Sequence, residues 1–423
     1  MTVLAHGIGT PTDPPLPTGP AAAAAVAALV ISFAVLCLAW RRARRTRQGR
    51  ELPLLARLDR PGTRTVARSA ALAVLAWLVV EGLTGPDDLS ANAAPWVFYV
   101  LFWVGLVPVS LLFGPVLRVA NPLRLLHELL AALLRIDPVE GVRPLPAGIG
   151  YWPAVASLAA FGWLELAAPG RTTPAVVAWW VIGYAAVHVT VALVVGARWF
   201  DRGDGFEVYS TLLGALAPVG RRDDGRLALR NPLDGLEAVR PAPGLAAVLV
   251  LLIGVTACDG LMGTRWWSTI VTPGVVTSTL ALAAATLAVG VVTLGGAWLI
   301  SGARAADGTR PGPAAFATTL VPIAAGYAMA HYFSMLVLDG QRALILAGDP
   351  FGWGEVDPGV VAPAVVLVVQ WAAVVVGHLV ATIGAHDRAV RLYPGRLALR
   401  TQQPMLGAMV ALTGAAVGLL WAS

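Results

Sequence analysis

Apolar and polar positions alternate in long blocks along this 423-residue chain. Apolar runs occupy 21–40, 66–84, 95–116, 151–168, 174–197, 244–262, 273–300, 314–337, 359–385 and 403–421. A helix rises about 1.5 Å per residue, so a run of about 20 apolar residues crosses the ~30 Å hydrocarbon core of a bilayer. The pattern therefore predicts an all-α fold, a polytopic transmembrane helix bundle of ten spans, with 21–423 as one membrane domain. Residues 1–20 are polar and carry Pro11, Pro14, Pro15, Pro17 and Pro20, which exclude a sustained helix. They read as an extracytoplasmic arm.

The polar blocks have structure of their own. Residues 121–134 place Leu123, Leu126, Leu130 and Leu133 on one face, and 206–217 and 231–239 are shorter versions. These read as amphipathic helices lying on the cytoplasmic membrane surface or against the bundle. The segments NPLR at 121–124 and NPLD at 231–234 each place Asn before Pro, predicting an Asn N-cap followed by Pro at the first helical position.

Charge gives the pattern a direction. All 30 basic residues are arginine. The first run is followed by Arg41, Arg42, Arg44, Arg45, Arg47 and Arg50, with nothing basic before it. Arginine clusters stay on the cytoplasmic side, so the N-terminus is expected outside. Threading the chain from there puts 41–64, 117–150, 198–243, 301–313 and 386–402 inside. The outer segments are 85–94, 169–173, 263–272, 338–358 and the C-terminus. Of the arginines, Arg171, Arg265 and Arg342 alone fall outside, a partition that supports ten spans with both termini outside. Trp96, Trp152, Trp199, Trp266, Trp267 and Trp421 lie near expected span ends, where amphipathic rings favour the interface.

Composition narrows the class. The chain is 57% hydrophobic and 13% charged, against about 25% charged in soluble domains. Its mean hydropathy is +0.73. The polar surface of a soluble protein is missing, so the expected partner is the lipid bilayer of the cell (plasma) membrane. The net charge of +6 lies in short loops and suits anionic lipid headgroups along 41–64. No nucleic-acid module accompanies it. Cys37 and Cys258 fall at opposite ends of their spans, so no disulfide joins them.

Ionisable side chains within apolar runs are costly and tend to be functional. Glu81, Glu165, Asp259 and His331 each lie about fifteen to eighteen residues from the inner end of an outward-running span, hence at similar depth. Three carboxylates and an imidazole at one level suit a proton or a transition metal: zinc, iron, manganese or copper. His331, Asp259 and Glu165 are the candidate catalytic residues, and the metal set adds Glu81 and His6 of the arm. A bound metal would turn water into a hydroxide nucleophile. Alternatively each carboxylate is interfacial and His331 bonds a neighbouring helix. Tyr327, His331 and Ser334 share a helix face, followed by Asp339, Gln341, Arg342 and Asp349 in the expected outer loop. Gln370, His378, Thr382 and His386 form a second stripe, read as interhelical hydrogen bonding or as a polar track across the membrane. The inner segment 198–210 is rich in polar groups, among them Asp201, Arg202, Asp204, Glu207, Tyr209 and Ser210.

Five stretches carry a resemblance: AHGIG near the start, RGDGFEVYS at 202–210, RNPLDGL at 230–236, VPIAAGYAMAHYFSMLVLDGQ at 321–341 and AHDRA at 385–389. Together the chain resembles bacterial multi-pass membrane proteins labelled fenitrothion hydrolase, an organophosphorus hydrolase-like family. The resemblance implies hydrolysis of a phosphorothioate triester at the membrane and assigns no catalytic residues. Three functions follow as expectations. One is a metal-dependent hydrolase of apolar organophosphorus esters with its site at the outer end of the bundle. Another is a transporter or permease for a metal ion or small solute. The third is a scaffold that docks a partner membrane subunit.

Overall fold

The computed structural model describes residues 49–53, 60–222, 224–300, 303–348, 355–357 and 359–422. His6, the run 21–40, Cys37 and the arginines from Arg41 to Arg47 lie outside the described residues. In chain order the main elements are strand β1 (Arg50–Glu51) and helices α1 (Pro61–Thr84), α2 (Ala93–Phe113), α3 (Pro122–Leu134), α4 (Trp152–Leu166), α5 (Pro174–Val195) and α6 (Gly205–Gly214). Strands β2 (Val219–Arg221) and β3 (Leu227–Leu229) follow, then α7 (Pro232–Glu237), α8 (Leu245–Met262), α9 (Val275–Ile300), α10 (Val321–Gly348), α11 (Pro363–Leu392) and α12 (Gly395–Ala422).

Among the described residues, seven helices are long and apolar enough to cross a membrane, which fits an integral multi-pass membrane protein. They are α1, α2, α5, α8, α9, the helix that ends as α10, and α11. The run 151–168 folds as the 15-residue α4, and the run 403–421 lies within the 28-residue α12. Helices α1 and α9 turn long apolar side chains outward: Val66, Val80, Leu287 and Val291 are exposed, and Trp298 is 68% exposed. Water would not tolerate such faces; lipid does.

Local chemistry sets the helix starts. Proline stands in the first turn of α1, α3, α4, α5 and α11, where no amide hydrogen is needed. Asn121 Oδ1 accepts from the Leu123 amide at 2.9 Å, and Asn231 Oδ1 from the Leu233 amide at 2.9 Å, as the two NPL segments predict. Helix α5 stops at Gly196, whose φ of 80° suits glycine; a Cβ there would stand 2.0 Å from the Val139 carbonyl oxygen.

One feature was not foreseen and two sequence expectations need correction. The fold is mostly helical, as expected, but β1, β3 and β2 add a small antiparallel sheet in that order, with Arg50 opposite Leu229 and Val219 opposite Leu229 on its other edge. Strands of two or three residues have no periodic signature to read. The expected outer loop 338–358 is helical as far as Gly348, so Asp339, Gln341 and Arg342 stand on α10. Good helix formers continue through that stretch, and Gln341 Nε2 bonds the Val337 carbonyl one turn back at 2.9 Å. The expected inner loop 386–402 is helical too, broken only around Tyr393 and Pro394.

The chain divides into two compact units. The first holds Arg47–Gly235 and Met335–Pro358; the second holds Leu236–Ser334 and Gly359 onward. The boundary falls within α10, after Ser334. In the first unit Leu123 of α3 packs with Val189, Ala192, Trp199 and Phe200, while Leu133 is exposed. Part of the amphipathic face of α3 is thus buried in the unit itself. In α2, residues Val97–Val104 widen into a π-helix flanked by α-helical turns. Their rings pack with Phe161 and Phe206. In the second unit α8 is almost wholly buried and packs with α9 and α12, and α10 meets α11.

Candidate functional site

In the second unit the apolar helix α8 carries Asp259 into a fully buried position, and the first part of α10 carries His331, 5% exposed. His331 Nε2 and Asp259 Oδ2 lie 3.1 Å apart. Tyr327, one helical turn before His331 on α10, is buried with its ring centroid 6.1 Å from the imidazole, and Tyr332 stands edge-on at 4.7 Å. Gly260 lets the helices close up here: a Cβ on it would lie 3.3 Å from the Tyr327 hydroxyl and 3.6 Å from His331 Cε1.

Chemically this is a carboxylate–imidazole pair. With Asp259 ionised, an Nε2–H donates to it, and the second ring nitrogen becomes the basic one. The pair can take up or release a proton. It also offers two donors of the kind that bind a transition-metal cation.

Glu81 and Glu165 belong to the first unit. Glu165 is buried on α4. Glu81 is half-buried near the end of α1, and its carbonyl accepts from the Asn92 side chain at 3.0 Å. Among the described residues no group of three or more His, Cys, Asp or Glu side chains is arranged to hold a metal ion. Asp259 and His331 are two donors, where a catalytic zinc takes three protein ligands.

A second polar centre, in the first unit, was only half legible. Asp204 caps α6, accepting from the amides of Phe206 and Glu207. Asn121 Nδ2 donates to Asp204 at 2.7 Å and to Glu207 at 2.8 Å. Arg124 grips Glu207 with Nε and Nη2 and reaches Asp201 at 3.0 Å. The Tyr184 hydroxyl donates to Asp204 at 2.7 Å. Ser157 Oγ donates to the Tyr184 oxygen at 3.1 Å and lies 3.3 Å from His188 Nε2, while the Trp199 indole donates to His188 Nδ1 at 3.0 Å. Burial alone would lower the Arg124 guanidinium, but its bonds and charge contacts with Glu207, Asp201 and Asp204 hold it above its ordinary value. The segment 198–210 announced the carboxylates. Nothing announced that Asn121 and Arg124, read as a helix start, are their partners.

No family model, no curated protein and no solved structure matches the chain. Its class rests on its own residues: a multi-pass helical membrane protein with a buried carboxylate–imidazole pair in the second unit and a hydrogen-bonded ionic network in the first.

Proposed function

We propose that the chain is a membrane transporter, a permease for a metal ion or small solute, that works through the Asp259–His331 pair. One observation carries the reading: the 3.1 Å contact between two buried ionisable groups, on helices long and apolar enough to span a bilayer. Such groups are expensive in a membrane and persist where an ion or proton passes. Two protein donors hold a cation loosely enough to let it go, which transport requires and a resident cofactor does not. The test uses the full chain in phosphatidylcholine–phosphatidylglycerol vesicles, with Mn²⁺ and Zn²⁺ as probes. Uptake is expected above that of protein-free vesicles and lost in Asp259→Asn and His331→Ala. Uptake that both variants retain overturns the reading, as does its absence in the wild type.

A second reading has its own support. The stretch 321–341, which carries the resemblance to organophosphorus hydrolases, is the one that bears Tyr327 and His331. In that reading His331, oriented by Asp259, takes a proton from water attacking an apolar triester that arrives from lipid. Zinc, iron, manganese or copper would complete the site with ligands beyond this pair. Release of the nitrophenol from fenitrothion by purified protein supplied with each metal would support it; no release with any of them ends it.

A further inference from the structure

We infer that a proton path runs through the second unit, from the Asp259–His331 pair to the predicted inner end, by way of Tyr327, His378, Thr382 and His386. The inference rests on the transport reading for its outer terminus and adds the coupling ion and its route.

The register of α10 against α11 supports it first. A Cβ on Gly326 would lie 2.4 Å from the Ala373 carbonyl oxygen and 3.1 Å from Gly377 Cα, so the two backbones touch there. Ala330 packs with Val374. Numbering rises on one helix as it falls on the other, so the pair is antiparallel. Tyr327 and His378, each next to a crossing glycine, therefore lie within about 3 Å of each other along the axis. Tyr327 is one turn inward of His331. On α11, His378, Thr382 and His386 follow at one-turn steps, each 1% exposed. Four residues rise about 6 Å along the axis, a spacing across which a water can link neighbouring polar side chains.

The second support is which polar atoms lack partners. Among the described residues, the Tyr327 hydroxyl and His378 Nε2 are buried and have no hydrogen-bond partner. Buried polar groups are nearly always satisfied, so each such exception asks for an explanation. His378 Nδ1 lies 2.8 Å from the Val374 carbonyl, which fixes the proton on Nδ1 and leaves Nε2 with its lone pair. The two unpartnered atoms belong to neighbouring levels of one polar ladder, one on each helix.

The third support is the contact between successive members of the stripe on α11. Thr382 Oγ1 donates to the carbonyl of His378 on its own helix at 2.8 Å, with the Met409 sulfur of α12 at 3.8 Å. At the inner end His386 Nδ1 lies 2.8 Å from Gln402 Oε1 of α12. Beside it stand Asp387 and Arg388, and Arg388 reaches Glu237 at 3.5 Å. A proton delivered to His378 Nε2 makes an imidazolium, which passes it to the next acceptor. Only O–H and N–H bonds form and break, and nothing is oxidised.

The test is proton influx into vesicles of the same lipids holding the full chain, loaded with pyranine and driven by a potassium diffusion potential with valinomycin. Wild type is expected to acidify them faster than protein-free vesicles, and His378→Gln and Tyr327→Phe to slow influx roughly tenfold or more. Tyr327→Phe deletes one unpartnered hydroxyl, so its packing and its melting temperature should stay close to wild type while the flux falls. Unchanged flux in both variants, or no flux in wild type, overturns the path. Mn²⁺ uptake in the same vesicles separates the two proposals. Metal uptake without proton flux removes the path and leaves the transporter; proton flux that His378→Gln abolishes, with no uptake, keeps the path and removes the solute.

Discussion

Arg124 sits where α3 faces two carboxylates, and its guanidinium is planar enough to hold Glu207 with two nitrogens while reaching Asp201. Removing one member of such a buried pair leaves the other charged and alone, at a cost of about 3–5 kcal/mol. Arg124→Ala should therefore lower the melting temperature of the purified protein sharply, and Arg124→Lys should rescue little of it. The double variant Arg124→Met with Glu207→Leu should recover most of the loss. Equal loss in the single and double variants would mean that the pair is not what holds these elements together. At this scale the sequence was informative about cost and blind to partnership. Asp259, His331, Glu81 and Glu165 stood out because ionisable groups are dear in apolar runs. That signal is the same for all four, yet only Asp259 and His331 are paired with one another. Asn121 and Arg124 carried no such signal, since polar residues are ordinary in a loop.

Among the described residues, helices were legible wherever the apolar run was long. Their ends were not, because α10 and α11 continue through polar residues that helical backbone accommodates without difficulty. Sequence hydropathy marks where lipid stops, not where hydrogen bonding stops. Where α10 crosses α11, the backbones meet at Gly326 and Gly377, the small-residue contact by which helices associate in lipid. Gly326→Val should force them apart, costing about 1–3 kcal/mol or more by overpacking. Gly295→Ala on α9, where a Cβ meets nothing within 4 Å, should be neutral or gain roughly 0.5–1 kcal/mol. Thermal unfolding in detergent compares the two; a Gly326→Val protein as stable as wild type would remove the close crossing, and with it the register that aligns Tyr327 with His378.

For the whole molecule the governing pattern is the distribution of arginine. In a chain with Cys37 and Cys258 replaced by Ala, a cysteine at the exposed Ser268 should be labelled by an impermeant maleimide from outside intact cells. A cysteine at the exposed Arg226 should react only after permeabilisation. The reverse pattern would invert the orientation, and labelling of both from one side would break the span order between them. What the sequence determined by itself was the solvent, an apolar excess that only lipid can cover; the side taken by the basic loops and the height of the ionisable residues follow from it as expectations. What only the tertiary structure decided was direction around each helix axis. Height is set by the chain's own geometry, whereas which neighbour a side chain meets depends on how helices distant in sequence pack. So the contact of His331 with Asp259, the grip of Arg124 on Glu207 and the alignment of Tyr327 with His378 became visible only once those helices were side by side.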